Sequence, residues 1–143
     1  MMKMLCALLT ACACALLLMT GCDKKPSADA VPATADKAQS AVLELDDTTF
    51  AAQTAQGVVL VDFWAPWCPP CRMQGPIVDA VAKQLGSTAK VAKVNVDNAK
   101  ATAQAFGVRS IPTLVVLKDG KTVKSFTGLT QADALVAAVK DAL

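Results

Sequence analysis

Apolar and polar residues are arranged in three different ways along the chain. Residues 4–20 (MLCALLTACACALLLMT) are nearly all apolar and follow a single positive charge, Lys3. Residues 23–40 (DKKPSADAVPATADKAQS) hold two prolines, many small or acidic residues and no large apolar side chain beyond Val31. Such a stretch buries too little to offset its ordering entropy, which predicts a flexible tether. From about residue 41 apolar positions recur with the periods of strands and helices, predicting one packed domain over residues 41–143.

Within that domain Ala41–Leu45 reads as a first short strand. Asp47-Thr48-Thr49 supplies caps for a helix from Phe50 to about Ala55, and Gly57 ends it. Val58–Trp64 (VVLVDFW) is the near-continuous β-branched run of a central strand covered on both faces. Residues 69–85 place Met73, Ile77, Val78, Val81 and Leu85 at helical spacing, with Pro76 inside to kink the helix. Lys90–Val96 predicts a strand, Ala99–Phe106 a short helix closed by Gly107, and Thr113–Leu117 another buried strand. Asp119-Gly120 is a hairpin signal that pairs Lys121–Thr127 antiparallel with it. Thr130-Gln131-Ala132-Asp133 has the form of a capping box for a last helix, with Leu135, Val136 and Val139 on its inner face. The order of elements predicts an α/β fold with a central mixed sheet and helices on both faces.

The apolar excess (54% of 143 residues) is concentrated in the first block, which reads as a signal peptide, residues 1–21. An uncleaved membrane anchor is the rival, although the run is short for a full span. Met19-Thr20-Gly21-Cys22 resembles a bacterial lipobox, with Met19 where leucine is usual. On that reading Cys22 is lipidated, residues 22–40 form the tether, and the domain lies on the periplasmic side of the membrane. Asp23 then resembles an inner-membrane retention signal. Of six cysteines, Cys6, Cys12 and Cys14 leave with the signal peptide and Cys22 takes the lipid, so the domain keeps only Cys68 and Cys71. From residue 43 onward ten Lys and Arg face nine Asp and Glu without a run of one sign, so no nucleic-acid surface is expected.

Trp67-Cys68-Pro69-Pro70-Cys71 lies where the central strand hands over to a helix. Two intervening residues let the sulfurs meet at the first helical turn, where free amides and the positive end of the dipole stabilise a thiolate. Cys68 is the candidate attacking thiol and Cys71 the resolving one. A structural zinc site needs four ligands, but the chain has no histidine and no second CxxC, so no metal is expected. Haem attachment needs a histidine after the motif, where Arg72 stands. An inert disulfide remains open, although so short a loop stabilises little. Asp62 is the one charge in VVLVDFW, and burial should raise its pKa unless something pairs with it. Pro112, before a buried strand, must stand at its start or in a special turn.

VDFWAPWCPPC and the following helix with Pro76 resemble the strand–site–helix unit of the thioredoxin family, and the resemblance extends over about residues 41–143. It implies the thioredoxin fold and thiol–disulfide exchange with protein substrates, with no cofactor. It also implies that Asp62 exchanges the proton of the inner thiol, that Lys93 modulates Asp62, and that Pro112 is a cis-proline facing the CxxC. Trp67, Pro69, Pro70, Ile111, Pro112 and Gly128 are the implied substrate-binding positions. Pro69-Pro70 stands where the family usually has Gly-Pro, so Pro69 removes one possible amide donor near Cys68. A reductant outside the cytoplasm implies a membrane electron-transfer partner of the thioredoxin-linked type, and the domain is expected to work as a monomer. An oxidant or isomerase is the rival within the same chemistry, disfavoured by the absence of a histidine in the dipeptide and of an added helical domain. A non-catalytic binding module is the rival of another class.

Overall fold

The structure is a computed structural model and describes residues 42–143. The expected signal peptide, the tether and the lipidated Cys22 lie outside the described residues. Nine elements follow in order: β1 (Leu43–Leu45), α1 (Phe50–Thr54), β2 (Val58–Trp64), α2 (Pro69–Leu85), β3 (Lys90–Asn95), α3 (Lys100–Ala105), β4 (Thr113–Lys118), β5 (Lys121–Thr127) and α4 (Ala132–Asp141). They form one five-stranded sheet in the order β1-β3-β2-β4-β5, parallel among β1, β3 and β2 and antiparallel from β2 to β4 and β5.

The period of two in β2 sorts its side chains between two cores. Val58 and Leu60 pack with Val78, Val81 and Leu85 of α2 and with Leu135 and Val139 of α4. Val59, Val61 and Phe63 pack on the opposite face with Phe50 of α1 and Ala103 of α3. Helices therefore cover both faces, and the central strand is buried along its length. Asp62 shares the parity of Val58 and Leu60, which turns its carboxyl toward α2. No described helix is long and apolar enough to cross a membrane.

Three local expectations are corrected. The Asp47 carboxylate does not cap α1; it accepts from the Ala101 and Thr102 amides and from the Thr102 hydroxyl, at the start of α3. Asp46 instead accepts from the Thr48 and Thr49 amides ahead of α1. The capping box before α4 does not form. Gln131 is the N-cap without a side-chain bond, and the Thr130 hydroxyl donates back to the Gly128 carbonyl at 3.1 Å. In α2 the buried stripe runs Cys71, Gln74, Val78, Val81, Ala82, Leu85, so Met73 points to solvent and Gln74 takes the inner position. The helix runs on through Pro76.

Candidate active site

Cys68 leaves β2 through Ala65, Pro66 and Trp67, its amide donating to the Ala65 carbonyl at 3.2 Å. It has extended backbone and is the N-cap of α2, with Pro69 and Pro70 in the first two helical positions. Proline suits that place because helix-start amides have no partner inside the helix, and its fixed φ is already helical. The first amide the helix offers is that of Cys71, which donates to Cys68 Sγ at 3.2 Å. N-cap side chains accept from the second or third helical residue. The donor missing at Pro69 is therefore one that reaches a cap poorly, and the amide that matters is in place.

The two sulfurs are joined in a disulfide with their Cα atoms 5.3 Å apart. Cys68 and Cys71 are equally buried, each 3% exposed. What separates them is chemistry. Cys68 Sγ holds the amide cap and lies 3.7 Å from the Ile111 carbonyl oxygen, whereas Cys71 lines a cavity on the side of Asp62.

The far wall is the turn before β4. The Ile111–Pro112 bond is cis, and the Pro112 carbonyl accepts from the Gly128 amide at 2.7 Å. Gly128 has φ of 88°, a conformation that side chains disfavour, so a glycine is needed where the chain passes Pro112. Trp67 is 65% exposed, and its indole N–H donates to Asp97 Oδ2 at 2.8 Å, which holds the ring beside a groove of about 350 Å3 lined by Val96, Arg109 and Ile111. Pro69 and Pro70 are exposed on the near side. Trp64 packs under the pair together with Ala65.

Behind Cys71, a cavity of about 160 Å3 is lined by Asp62, Trp64, Gly75 and Lys93, with the exposed Glu44 and Arg72 at its edge. Asp62 is 1% exposed, and burial pushes its carboxyl up to about 7 against a smaller downward pull from Lys93. Its Oδ1 has no hydrogen-bond partner, nor has the buried indole N–H of Trp64. One is an acceptor and the other a donor, and both border the cavity that Cys71 borders.

The family model named Thioredoxin matches residues 41–141. The chain belongs to the thioredoxin family. It is 45% identical over 95 residues to a thioredoxin of Bacillus subtilis (strain 168), covering 66% of this chain and 91% of that one. It is 46% identical over 91 residues to thioredoxin 1 of Synechococcus elongatus, covering 62% and 85%. Among solved structures it resembles a mutant thioredoxin from Halobacterium salinarum, with a TM-score of 0.67, 38% identity, and coverage of 73% of this chain and 93% of that chain. The protein is thus a thiol–disulfide oxidoreductase of the thioredoxin type, and Cys68 and Cys71 are its redox-active pair.

Two features of the domain were not evident from sequence. Lys93 is the Cα partner of Asp62 in the parallel β2–β3 ladder, yet its ammonium pairs with Asp79 of α2 at 3.1 Å. The expected Asp62–Lys93 association is therefore through space and not a contact pair. The second is Gln74, fully buried one turn after Cys71, with both ends of its amide bonded to the Thr130 backbone. The one sequence signal for it is a polar residue three after Cys71 and four before Val78, on the stripe those residues define. Among the described residues no group of three or more His, Cys, Asp or Glu is placed to hold a metal ion.

Proposed function

We propose that this protein reduces disulfides of polypeptides on the periplasmic side of the cell membrane, held there by a lipid on Cys22. The observation that carries the chemistry is the division of labour between the two sulfurs: an amide cap on Cys68 and a buried carboxyl in the cavity beside Cys71. In the reduced enzyme the Cys68 thiolate attacks one sulfur of the substrate disulfide, forming a mixed disulfide and expelling the first substrate thiolate. The Cys71 thiol gives its proton to the Asp62 carboxylate across the cavity and attacks Cys68 Sγ. The second substrate thiolate leaves, and Cys68–Cys71 ends as the disulfide. Two electrons pass from the pair to the substrate.

A pKa near 7 suits Asp62 to this exchange, because it can hold or release a proton at neutral pH without a histidine. Lys93 tempers that value from the side. Ile111 and Pro112, with Gly128 behind them, offer backbone to an extended substrate, and Trp67, Pro69 and Pro70 form the rim. The lipobox-like Met19–Cys22 and the Pro- and Ala-rich stretch after it support membrane tethering, and Asp23 supports the inner membrane. Electrons then come from a membrane electron-transfer protein of the thioredoxin-linked type.

The test is a Cys71→Ser variant of the full chain expressed in its own host. Cys68 mixed disulfides should be recovered from the membrane fraction with a membrane electron transporter and extracytoplasmic clients. Recovery of a quinone-linked oxidase would overturn the reducing direction, and a protein recovered in the cytosol would overturn the location.

A further inference from the structure

We propose that Gln74 is a positioning residue for polypeptide substrates, acting by clamping the Gly128–Thr130 loop to the redox helix. The proposal rests on the reading that the enzyme reduces polypeptide disulfides, and it names the residue that builds the groove for them.

The Gln74 amide N–H donates to the Thr130 carbonyl at 3.0 Å, and its oxygen accepts from the Thr130 amide at 2.8 Å. A side-chain amide meets the backbone here as a neighbouring strand would, and one orientation of the amide satisfies both bonds. Gln74 is completely buried among apolar neighbours on the inner stripe of α2. Leucine or methionine there would fill the same space, and the sheet core needs no amide. What the amide adds is a fixed distance between α2 and one backbone unit of a loop.

That loop leads straight to the site. The Thr130 hydroxyl donates to the Gly128 carbonyl, the Gly128 amide donates to the Pro112 carbonyl, and the Ile111 carbonyl lies 3.7 Å from Cys68 Sγ. Starting from Cys68, the path along α2 to Gln74, across to Thr130, and back through Gly128 and Pro112 closes a ring around the exchanging sulfur. Gln74 is its only link between α2 and the loop among the described hydrogen bonds. The loop has few apolar anchors of its own, since Leu129 is 42% exposed and Gln131 is exposed. Met73 and Leu129, both exposed and apolar, are the sequence neighbours of the two clamped residues, so the clamp also sets where this pair stands. A polypeptide running past its cysteine meets these walls, whereas a small disulfide needs only Cys68.

The test compares the pre-reduced full chain with its Gln74→Met variant in single-turnover reactions, read by tryptophan fluorescence. Insulin is the polypeptide disulfide, and the disulfide of thionitrobenzoate is the small one. With insulin the half-saturating concentration should rise about fivefold to tenfold, as expected for loss of two neutral hydrogen bonds that hold a binding wall. The limiting rate with insulin and the rate with the small disulfide should stay within about twofold of wild type. Equal half-saturation by insulin in both proteins, or a parallel slowing with both substrates, overturns the role of Gln74. A wild-type chain that reduces the small disulfide but leaves insulin intact overturns the polypeptide reading and the proposal with it. Should Gln74→Met not fold, Gln74→Asn is one methylene too short to meet both Thr130 atoms and must show the same split between substrates; its absence overturns the proposal as well.

Discussion

Asp62 and Lys93 stand side by side in neighbouring parallel strands, yet the lysine gives its close contact to Asp79 of α2, 3.1 Å away. Asp62 is left buried with one carboxyl oxygen unpartnered. The lysine acts on Asp62 through space, while its close contact is to the helix above.

Replacing the acid should stabilise the domain in a pH-dependent way. The native state binds the Asp62 proton more tightly than the unfolded chain, since burial moves the pKa from 3.8 to about 7. Its penalty is therefore absent below about pH 4, grows between about pH 4 and pH 7, and is constant above that. Asp62→Asn should stabilise the protein at alkaline pH by up to about 4 kcal/mol and hardly at all in acid. Urea unfolding at the two extremes of that window measures the difference. The same variant should slow release of the mixed disulfide by about tenfold to a hundredfold at neutral pH.

Asp79→Asn should act on the same carboxyl by freeing the charge beside it. Without its partner on α2, the Lys93 ammonium can turn toward Asp62, with Glu44, its Cα partner on β1, as the remaining rival. The Asp62 pKa should fall by about one unit. Carboxyl NMR titration reads it directly. An unchanged midpoint would mean that Asp79 does not govern where the lysine charge resides.

The two cysteines should fail differently. Cys68→Ser should cut disulfide exchange by at least about a thousandfold with every substrate, since the attacking atom is lost. Cys71→Ser should retain the first step and accumulate a mixed disulfide on Cys68, seen by intact mass. Accumulation on Cys71 in a Cys68→Ser protein instead would reverse the assigned roles.

The double proline invites a comparison of its two members. Pro70 occupies the second helical position, from which an amide can reach the N-cap, and Pro69 the first, from which it reaches poorly. Pro70→Ala should add a second donor to Cys68 Sγ, stabilise the thiolate and raise the reduction potential by about 30 mV, the equivalent of ~1.4 kcal/mol. Pro69→Gly should change the potential less. Equilibration with glutathione buffers ranks the two, and a larger effect at Pro69 would rule out amide supply as the controlling factor.

What could be read from the chain was local. The β-branched run Val58–Trp64, the apolar spacing of α2 and α4, and Asp119-Gly120 between two strands each carry their structure within a few residues, and the elements lie where these patterns predict to within a residue or two. The redox pair was legible for the same reason, because a strand, two cysteines and a helix start are contiguous. Asp62 stood out because one charge in an apolar run must be accommodated somewhere.

The tertiary structure decided the partners. Asp47 caps α3, 55 residues away from Thr102, and Gln74 clamps Thr130 at a separation of 56. Lys93 makes its ion pair with Asp79, 14 residues back, while it still lowers the pKa of its strand neighbour Asp62. A side chain's hydrogen-bonding capacity is fixed by its chemistry, but its partner depends on which distant backbone the sheet and helices bring within about 3 Å. Sequence alone therefore determined a strand, a CxxC and a helix in series that resemble the thioredoxin family, with Cys68 and Cys71 as the candidate exchanging pair. Folding determined which thiol is capped, which carboxyl is left unpartnered, and which buried amide holds the groove beside them.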